Sequence, residues 1–266
     1  MPNHVTNILE LEGDNSEIKK LYENIKCEEE DLGSIDFNKI IPMPNDLDIE
    51  SGSRTIKGIE LYLTYLNPRI DYFGDCSYDV KKFNELLKGL NAEQFFYKYV
   101  CYKNRDAISK LKEKDEKEFD YIFDLGKKAV NNYLNYGATT WYEWSIKNRG
   151  TKWNAYHFGC YIPEDNKLFF DTAWSNASPV IQKLSEMYPK ILFKYRWADE
   201  GMGTNTGKAE YCNGEVIDLF IPKDNSKEAI ELSTEILDVD INEYFYYDEK
   251  KDNYIWKGEE ELNLNI

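Results

Sequence analysis

Asn154-Ala155-Tyr156-His157-Phe158-Gly159-Cys160-Tyr161-Ile162 runs through Pro163-Glu164-Asp165-Asn166 into Lys167-Leu168-Phe169-Phe170-Asp171-Thr172-Ala173-Trp174. The first segment alternates, with Tyr156, Phe158, Cys160 and Ile162 on one face and Ala155, His157, Gly159 and Tyr161 on the other. Side chains of a strand point alternately to opposite faces, so this is a strand, the Pro-Glu-Asp-Asn segment a turn, and 167–174 its partner. Pro179 then sits near the first turn of a helix carrying Val180, Ile181, Leu184 and Met187. Ile191, Phe193, Tyr195 and Trp197 alternate as a third strand, opposite Lys194 and Arg196. Residues 153–197 thus read β-β-α-β, three quarters of a ferredoxin-like unit.

Downstream, Asn213-Gly214 marks a two-residue hairpin between 209–212 and 215–220. Asn225 or Ser226 caps a helix near 227–237, and the Tyr/Phe-rich 243–256 predicts an edge hairpin. Upstream, Thr6–Leu11 is a strand closed by Gly13-Asp14, followed by a helix over Ile18, Leu21, Tyr22 and Ile25 capped by Asn15 or Ser16. Asp36–Ile41 reads as a second strand, stopped by Pro42-Met43-Pro44, and 45–78 as irregular chain. From 79 to 137 the apolar spacing turns helical, with stripes at Val80–Leu90, at Ile108 and Leu111, and from Phe119 to Leu134 ending before Gly137. The mixed-charge run 112–118 is an exposed helix face. The expected fold is α+β: a ferredoxin-like antiparallel sheet with a helical insertion and an acidic C-terminal extension. The expected divisions are 1–78 as the strand-helix-strand segment that completes the sheet, 79–137 as the helical insertion, 138–222 as the ferredoxin-like region, and 223–266 as the acidic helix and hairpin.

The 266 residues carry 49 acids against 33 bases, a net charge of −16. The charge belongs to the two ends: residues 1–78 hold −9 and 223–266 hold −8, while 138–222 hold −1. Broad binding to duplex DNA or to an anionic membrane needs excess Lys and Arg, so neither is an expected partner. No apolar run reaches the roughly 18 residues of a membrane span. The first residues lack a basic start and apolar core, and five scattered cysteines form no C-x-x-C pair, which predicts a cytoplasmic protein with reduced thiols.

Catalytic motifs fail one by one. Gly201–Lys208 lacks the Gly and Ser/Thr of a phosphate loop, since Met202 and Ala209 stand there, and reads as a flexible strand connection. His157 and Cys160 fall on opposite strand faces, and two histidines are too few for a closed zinc site, so no metal or cofactor is expected. Glu143, Asp171, Asp199 and Glu200 are the alternative: converging carboxylates that hold a cation or act as acid and base on a nucleotide. Pairing with Arg149, Lys152 or Arg196 is the structural reading of the same groups. Five of the six tryptophans (Trp141, Trp144, Trp153, Trp174 and Trp197) fall within 57 residues. Core packing is the default for each. As a partly exposed cluster, Trp141, Trp144, Trp153 and Trp174, with Lys152 and Asn205, are the expected binding residues for a base or a protein partner. The acidic runs Glu28-Glu29-Glu30-Asp31 and Glu259-Glu260-Glu261 are the other candidate binding surfaces.

Trp141-Tyr142-Glu143-Trp144, Gly150-Thr151-Lys152-Trp153-Asn154, Phe170–Ser175, Tyr195–Glu200 and Gly203–Gly207 together carry a pattern that resembles the YubB-like proteins of plasmids, phages and integrated islands. Pro2–Asn7 and Phe37–Pro44 are similar to that family's N-terminal segment. The resemblance covers about half the chain. It implies a ferredoxin-like C-terminal part and a mobile-element gene, and no activity. Charge and resemblance together lead to the expectation of a non-enzymatic interaction protein. Its partner would be a host protein, for instance a nucleic-acid-binding defence complex of CRISPR or restriction type, met through acidic surfaces. The alternative is a carboxylate- or metal-dependent enzyme, or a binding module, for a nucleotide or single-stranded nucleic acid.

Overall fold

A computed structural model describes residues 3–28, 35–66, 112–156, 161–162 and 166–258. The chain divides into two compact units, Met1–Pro42 with Ser145–Ile266, and Met43–Trp144.

The first unit is built on a six-stranded antiparallel sheet. Its strands are β1 (His4–Glu12), β2 (Tyr161–Ile162), β3 (Lys167–Ala173), β4 (Leu192–Asp199), β5 (Gly207–Cys212) and β6 (Glu215–Phe220), in the order β2-β3-β1-β4-β5-β6. Helix α1 (Asn15–Ile25) follows β1, and the helix Ser178–Met187 joins β3 to β4. The path β1-α1-β2-β3-helix-β4 with β1 between β3 and β4 is the ferredoxin-like arrangement, to which the β5–β6 hairpin is added. Val5, Leu9 and Leu11 of β1, Phe170 of β3, and Phe193, Tyr195 and Trp197 of β4 form one buried face. They pack with Ile18, Leu21 and Ile25 of α1 and with Val180, Ile181 and Leu184. The alternation read for Phe193, Tyr195 and Trp197 therefore holds.

Asn7 is a polar side chain within this core. Asn7 is fully buried; its Nδ2 donates to Val5 O (2.7 Å), Thr172 Oγ1 (3.0 Å) and Phe170 O (3.2 Å), and its Oδ1 accepts from Tyr195 Oη. Tyr195 Oη in turn accepts from Ala177 N at 2.9 Å. A buried amide with every group satisfied fixes strand register, because a one-residue slip would orphan all of them. Burial holds the Tyr195 phenol neutral far beyond its ordinary range.

Several local expectations change. Asp14, not Asn15 or Ser16, caps α1, accepting from Ser16 N (2.9 Å) and Glu17 N (3.3 Å). Phe37–Lys39 is a 3-10 turn rather than a strand, because Asp36 accepts from Asn38 N and curls the chain. Arg149 then locks that turn: it is buried, donating to Asn38 Oδ1 (2.6 Å) and twice to Ile41 O. Burial pulls its guanidinium down to about 10, with Asp36 opposing, so the charge persists at neutral pH. The loop Asp199–Gly207 is pinned rather than free, with Gly203 N donating to Ser233 Oγ (2.8 Å) and Asn225 N to Gly203 O (2.7 Å). Asn213 and Gly214 both have positive φ, as the hairpin turn requires. Ser226 caps the helix Lys227–Ile236, whose Ile236 packs on the other sheet face with Ile8 and Ala198. The Tyr/Phe-rich segment forms its own two-stranded sheet, β7 (Phe245–Asp248) with β8 (Asn253–Trp256), rather than an edge of the main one.

The second unit is helical. α2 (Ser53–Leu66) occupies part of the stretch expected to be irregular, because its apolar positions were masked by an even mixture of polar ones. α3 (Glu116–Tyr136) is the third predicted helix, started by Asp115, which accepts from Glu118 N, and ended by Gly137 at φ 67°. Ile59, Ala129 and Val130 form its core. Lys112–Lys117 are exposed as expected. The stripes at Val80–Leu90, Ile108 and Leu111 lie outside the described residues. A further helix, α4 (Trp141–Arg149), runs through the Trp-Tyr-Glu-Trp motif, and its C-terminal half belongs to the first unit.

Candidate functional site

Because neighbouring strands are antiparallel, the start of β1, the ends of β3 and β4 and the start of β5 lie at one end of the sheet, with His4 opposite Ala173, Val5 opposite Asp199 and Trp197 opposite Gly207. Chain leaving those strands brings the quoted motifs together. Thr151 anchors the segment after α4, its Oγ1 donating to Ala173 O (3.0 Å) and accepting from Ala173 N (3.2 Å). That places Lys152 and Trp153 beside Trp174, the residue after β3. The Lys152 ammonium stands over both indoles, 4.4 Å from the Trp153 ring centre and 4.6 Å from that of Trp174. Such distances are within cation–π range. Both indoles remain open, Trp153 at 38% and Trp174 at 44% exposure.

Trp174 adopts φ 68°. A bulky side chain in the left-handed region is strained, since its Cβ crowds the backbone, and the surroundings must hold it there. They do: Trp174 N donates to Asn3 O and Trp174 O accepts from Asn205 Nδ2, both at 3.0 Å. Asn205 is itself left-handed, at φ 45°.

Behind the indoles lies a polar shell. Trp153 meets Tyr156 edge-on, and Tyr156 meets His4 in the same way. Tyr156 Oη donates to Thr172 O (3.1 Å) and lies 2.8 Å from His4 Nδ1. Burial first, then the negative charges of Asp171 and Glu200, push the Tyr156 phenol up to about 12. Asp171 and Glu200 add a negative field there, while burial disfavours charge of either sign.

The carboxylates divide by role. Asp199 is buried and acts on backbone and amides: Oδ1 accepts from Gly201 N (2.9 Å) and Asn3 Nδ2 (3.2 Å), and Oδ2 from Asn205 Nδ2 (3.3 Å). Glu143 lies in the helical unit and accepts from Thr139 N and Thr139 Oγ1, both at 2.8 Å, capping the start of α4. Asp171 is half-buried, and its backbone forms a two-way bridge with Tyr156. Among the described residues no group of three or more His, Cys, Asp or Glu side chains is arranged to hold a metal ion.

Of the five clustered tryptophans, Trp144 and Trp197 are buried, Trp141 is half-buried in the helical unit, and Trp153 and Trp174 are the open pair. Lys152 and Asn205 lie beside that pair. Glu28 is exposed, 3.4 Å from Lys39 Nζ. Glu29, Glu30, Asp31, Glu259, Glu260 and Glu261 lie outside the described residues, as do His157 and Cys160. His4, Tyr156 and Asn3 were not singled out from the sequence. Their only signal was position: His4 opens a strand, and Tyr156 shares a parity with apolar residues.

Among the described residues no helix is long and apolar enough to cross a membrane. No curated protein matches this chain. A crystal structure of a protein api92 from Yersinia pseudotuberculosis is similar at a TM-score of 0.38 and 12% identity, over 84% of this chain and 99% of that one. Residues 150–240, which carry β2 to β6, most of the open indole cluster and the helix Lys227–Ile236, match the family model described as the ferredoxin-like domain in Api92-like protein, and it is to that domain that this part of the chain is similar.

Proposed function

We propose that this chain is a non-enzymatic interaction protein that captures a basic segment of a partner protein at the Trp153–Trp174 face. The observation that carries the reading is the Lys152 ammonium over two open indoles. Lys152 is a placeholder in this reading: a partner's Lys or Arg takes its position and its cation–π contacts. The net charge of −16 favours the approach of such a partner and sets its sign. Glu143 and Asp199 support the same side of the argument, since each is engaged in holding backbone.

The finer identity of the partner is part of the proposal. The resemblance to YubB-like proteins supports a mobile-element gene product, and a host protein with a basic, nucleic-acid-handling groove is the partner that such charge suits. Inhibition of a CRISPR or restriction complex is one instance.

The test uses a fluorescently labelled lysine- and arginine-rich peptide and a labelled single-stranded oligonucleotide, each titrated into the full chain at low and high salt. The peptide binds, more weakly at high salt. Trp174→Ala weakens it by roughly tenfold, the effect of one to two kcal/mol of cation–π contact. Lys152→Ala retains or improves binding. No response to the peptide sinks the proposal. Binding of the oligonucleotide alone, abolished by the same Trp174 variant, establishes instead the second reading, a nucleotide or single-strand module. That reading rests on the openness of the two indoles, which would stack on bases.

A further inference from the structure

Among the described residues β6 is the last strand of the sheet, and every one of its residues is exposed. Val216, Ile217, Leu219, Phe220 and the following Ile221 are open by 39–64%. Proteins ordinarily protect an edge with lysines, prolines or short length. β6 contains none of the first two; a bulge lies where the register shifts, between the Glu210–Asp218 and Tyr211–Val216 pairs. The bulge leaves Asp218, Leu219 and Phe220 in regular register with β5.

The charges across the sheet say what an added strand would carry. Lys167 of β3 faces Glu10 of β1, Glu10 faces Lys194 of β4, Lys194 faces Glu210 of β5, and Glu210 faces Asp218 of β6. The row reads plus, minus, plus, minus, minus. Lys167 lies 3.8 Å from Glu10, and Lys194 pairs with Glu12. The hydrogen bond that Lys194 donates to Glu12, then the negative charges of Glu12, Glu210 and Glu10, hold its ammonium above its ordinary range. The alternation breaks only at the edge, where two carboxylates stand directly opposite each other, a destabilising arrangement. Lys208, on the same face as Glu210, directs its ammonium over the Phe220 ring at 5.5 Å, and among the described residues Asp218 has no cation within ion-pair reach.

We infer that β6 is a docking edge for an extended segment of another protein, added as a seventh strand, with a Lys or Arg opposite Asp218 and apolar residues on either side of it. The backbone edge supplies the hydrogen bonds, Val216, Leu219 and Phe220 supply apolar contact, and the cation restores the alternating row. The β6 strand of a second copy is the wrong occupant. β6 holds Glu215 and Asp218 and no base, so a self-paired β6 cannot place a cation opposite Asp218 in any register. The inference concerns a surface other than the indole face and does not depend on that reading.

The experiment compares two labelled peptides, one alternating valine with lysine and one alternating valine with glutamate, by fluorescence anisotropy. Amide hydrogen exchange locates the footprint. The lysine peptide binds the full chain roughly fivefold or more tighter than the glutamate peptide, the effect of about 1 kcal/mol of cross-strand charge. Its protection falls on residues 215–220. Asp218→Lys inverts the preference, which shows that the variant is folded and that the charge at this position reads the strand. Both peptides are measured on the full chain carrying Trp174→Ala, which removes capture at the indole face, so failure here and failure of the indole proposal are told apart. Equal affinity for both peptides, protection elsewhere, or an unchanged preference in Asp218→Lys overturns the inference. So does protection of 215–220 that appears with protein concentration alone, because the occupant is then a second copy.

Discussion

Trp174 shows how one residue can be costly to fold and still be held. Its φ of 68° costs on the order of 1–3 kcal/mol for a residue of this size. Asn tolerates the same backbone well. Trp174→Asn is therefore expected to leave stability unchanged or raise it by about 1 kcal/mol in urea unfolding, while the basic peptide of the binding test binds roughly tenfold more weakly. A large loss of stability would show instead that the indole is part of the packing. Tyr156 carries a second expectation. Its folded pKa of about 12 exceeds the ordinary 10.0, so the folded state holds the phenolic proton more tightly. The stability this contributes is fully present below pH 10 and is lost as pH rises from 10 through 12. Tyr156→Phe should be less stable near neutrality by about 1 kcal/mol, for the lost hydrogen bonds. It should also show a shallower fall in urea midpoint across that alkaline window. Parallel curves for the two proteins would exclude Tyr156 as the source.

Among the elements, α2 and α3 meet where each has a glycine. A Cβ on Gly58 would meet Ile122 O and lie 2.8 Å from Gly126 N, and one on Gly126 would meet Gly58 O and C. The backbones touch because neither residue has a side chain. Gly126→Ala gains helix propensity, but the methyl group has no room and the helices must part. The net effect expected is a destabilisation of about 1–3 kcal/mol, read by thermal unfolding of the intact chain. A stabilised variant would mean that the two helices do not cross so closely in solution. The β5–β6 hairpin is the contrasting element: its turn satisfies the local rules, with positive φ at Asn213 and Gly214, yet its outer strand is left with an apolar edge. Local propensity is met there and burial is not, which is why the edge calls for a partner.

Over the whole molecule, charge works at long range and contacts at short range. A chain with 49 acids and 33 bases repels its own copies and attracts basic surfaces, and ions screen both effects beyond about 10 Å at 0.1 M salt. The salt dependence of the peptide titration belongs to this scale: the association rate should fall as salt rises, while the loss caused by Trp174→Ala should persist, because it arises from contact. If the variant's effect vanished at high salt, the indoles would be acting only through the charges beside them.

Much of the sheet was legible in the sequence. Alternation over 167–174 and 191–197, Asn213-Gly214 and the Ser226 cap are local patterns, and local patterns survive into the fold because each follows from backbone sterics or hydrogen bonding within a few residues. Asp36–Ile41 misled because so short a segment shows no clear period, and a single Asp36 side chain curled it. α2 was missed for a related reason, since its helical spacing is diluted by polar residues and its burial comes from α3, a helix remote in sequence. The indole site was legible only as residue types. Lys152, Trp153, Trp174 and Asn205 stood out by kind. Their convergence with His4 and Tyr156 depends on antiparallel registers that join β1 to β3 and β4 across more than 150 residues. By itself the sequence determined strands, turns, caps and net charge. Which tryptophans are open, which carboxylates are engaged in holding backbone, and which strand is left at the edge were decided by tertiary structure, because burial and register are properties of pairs of segments and no single segment encodes them.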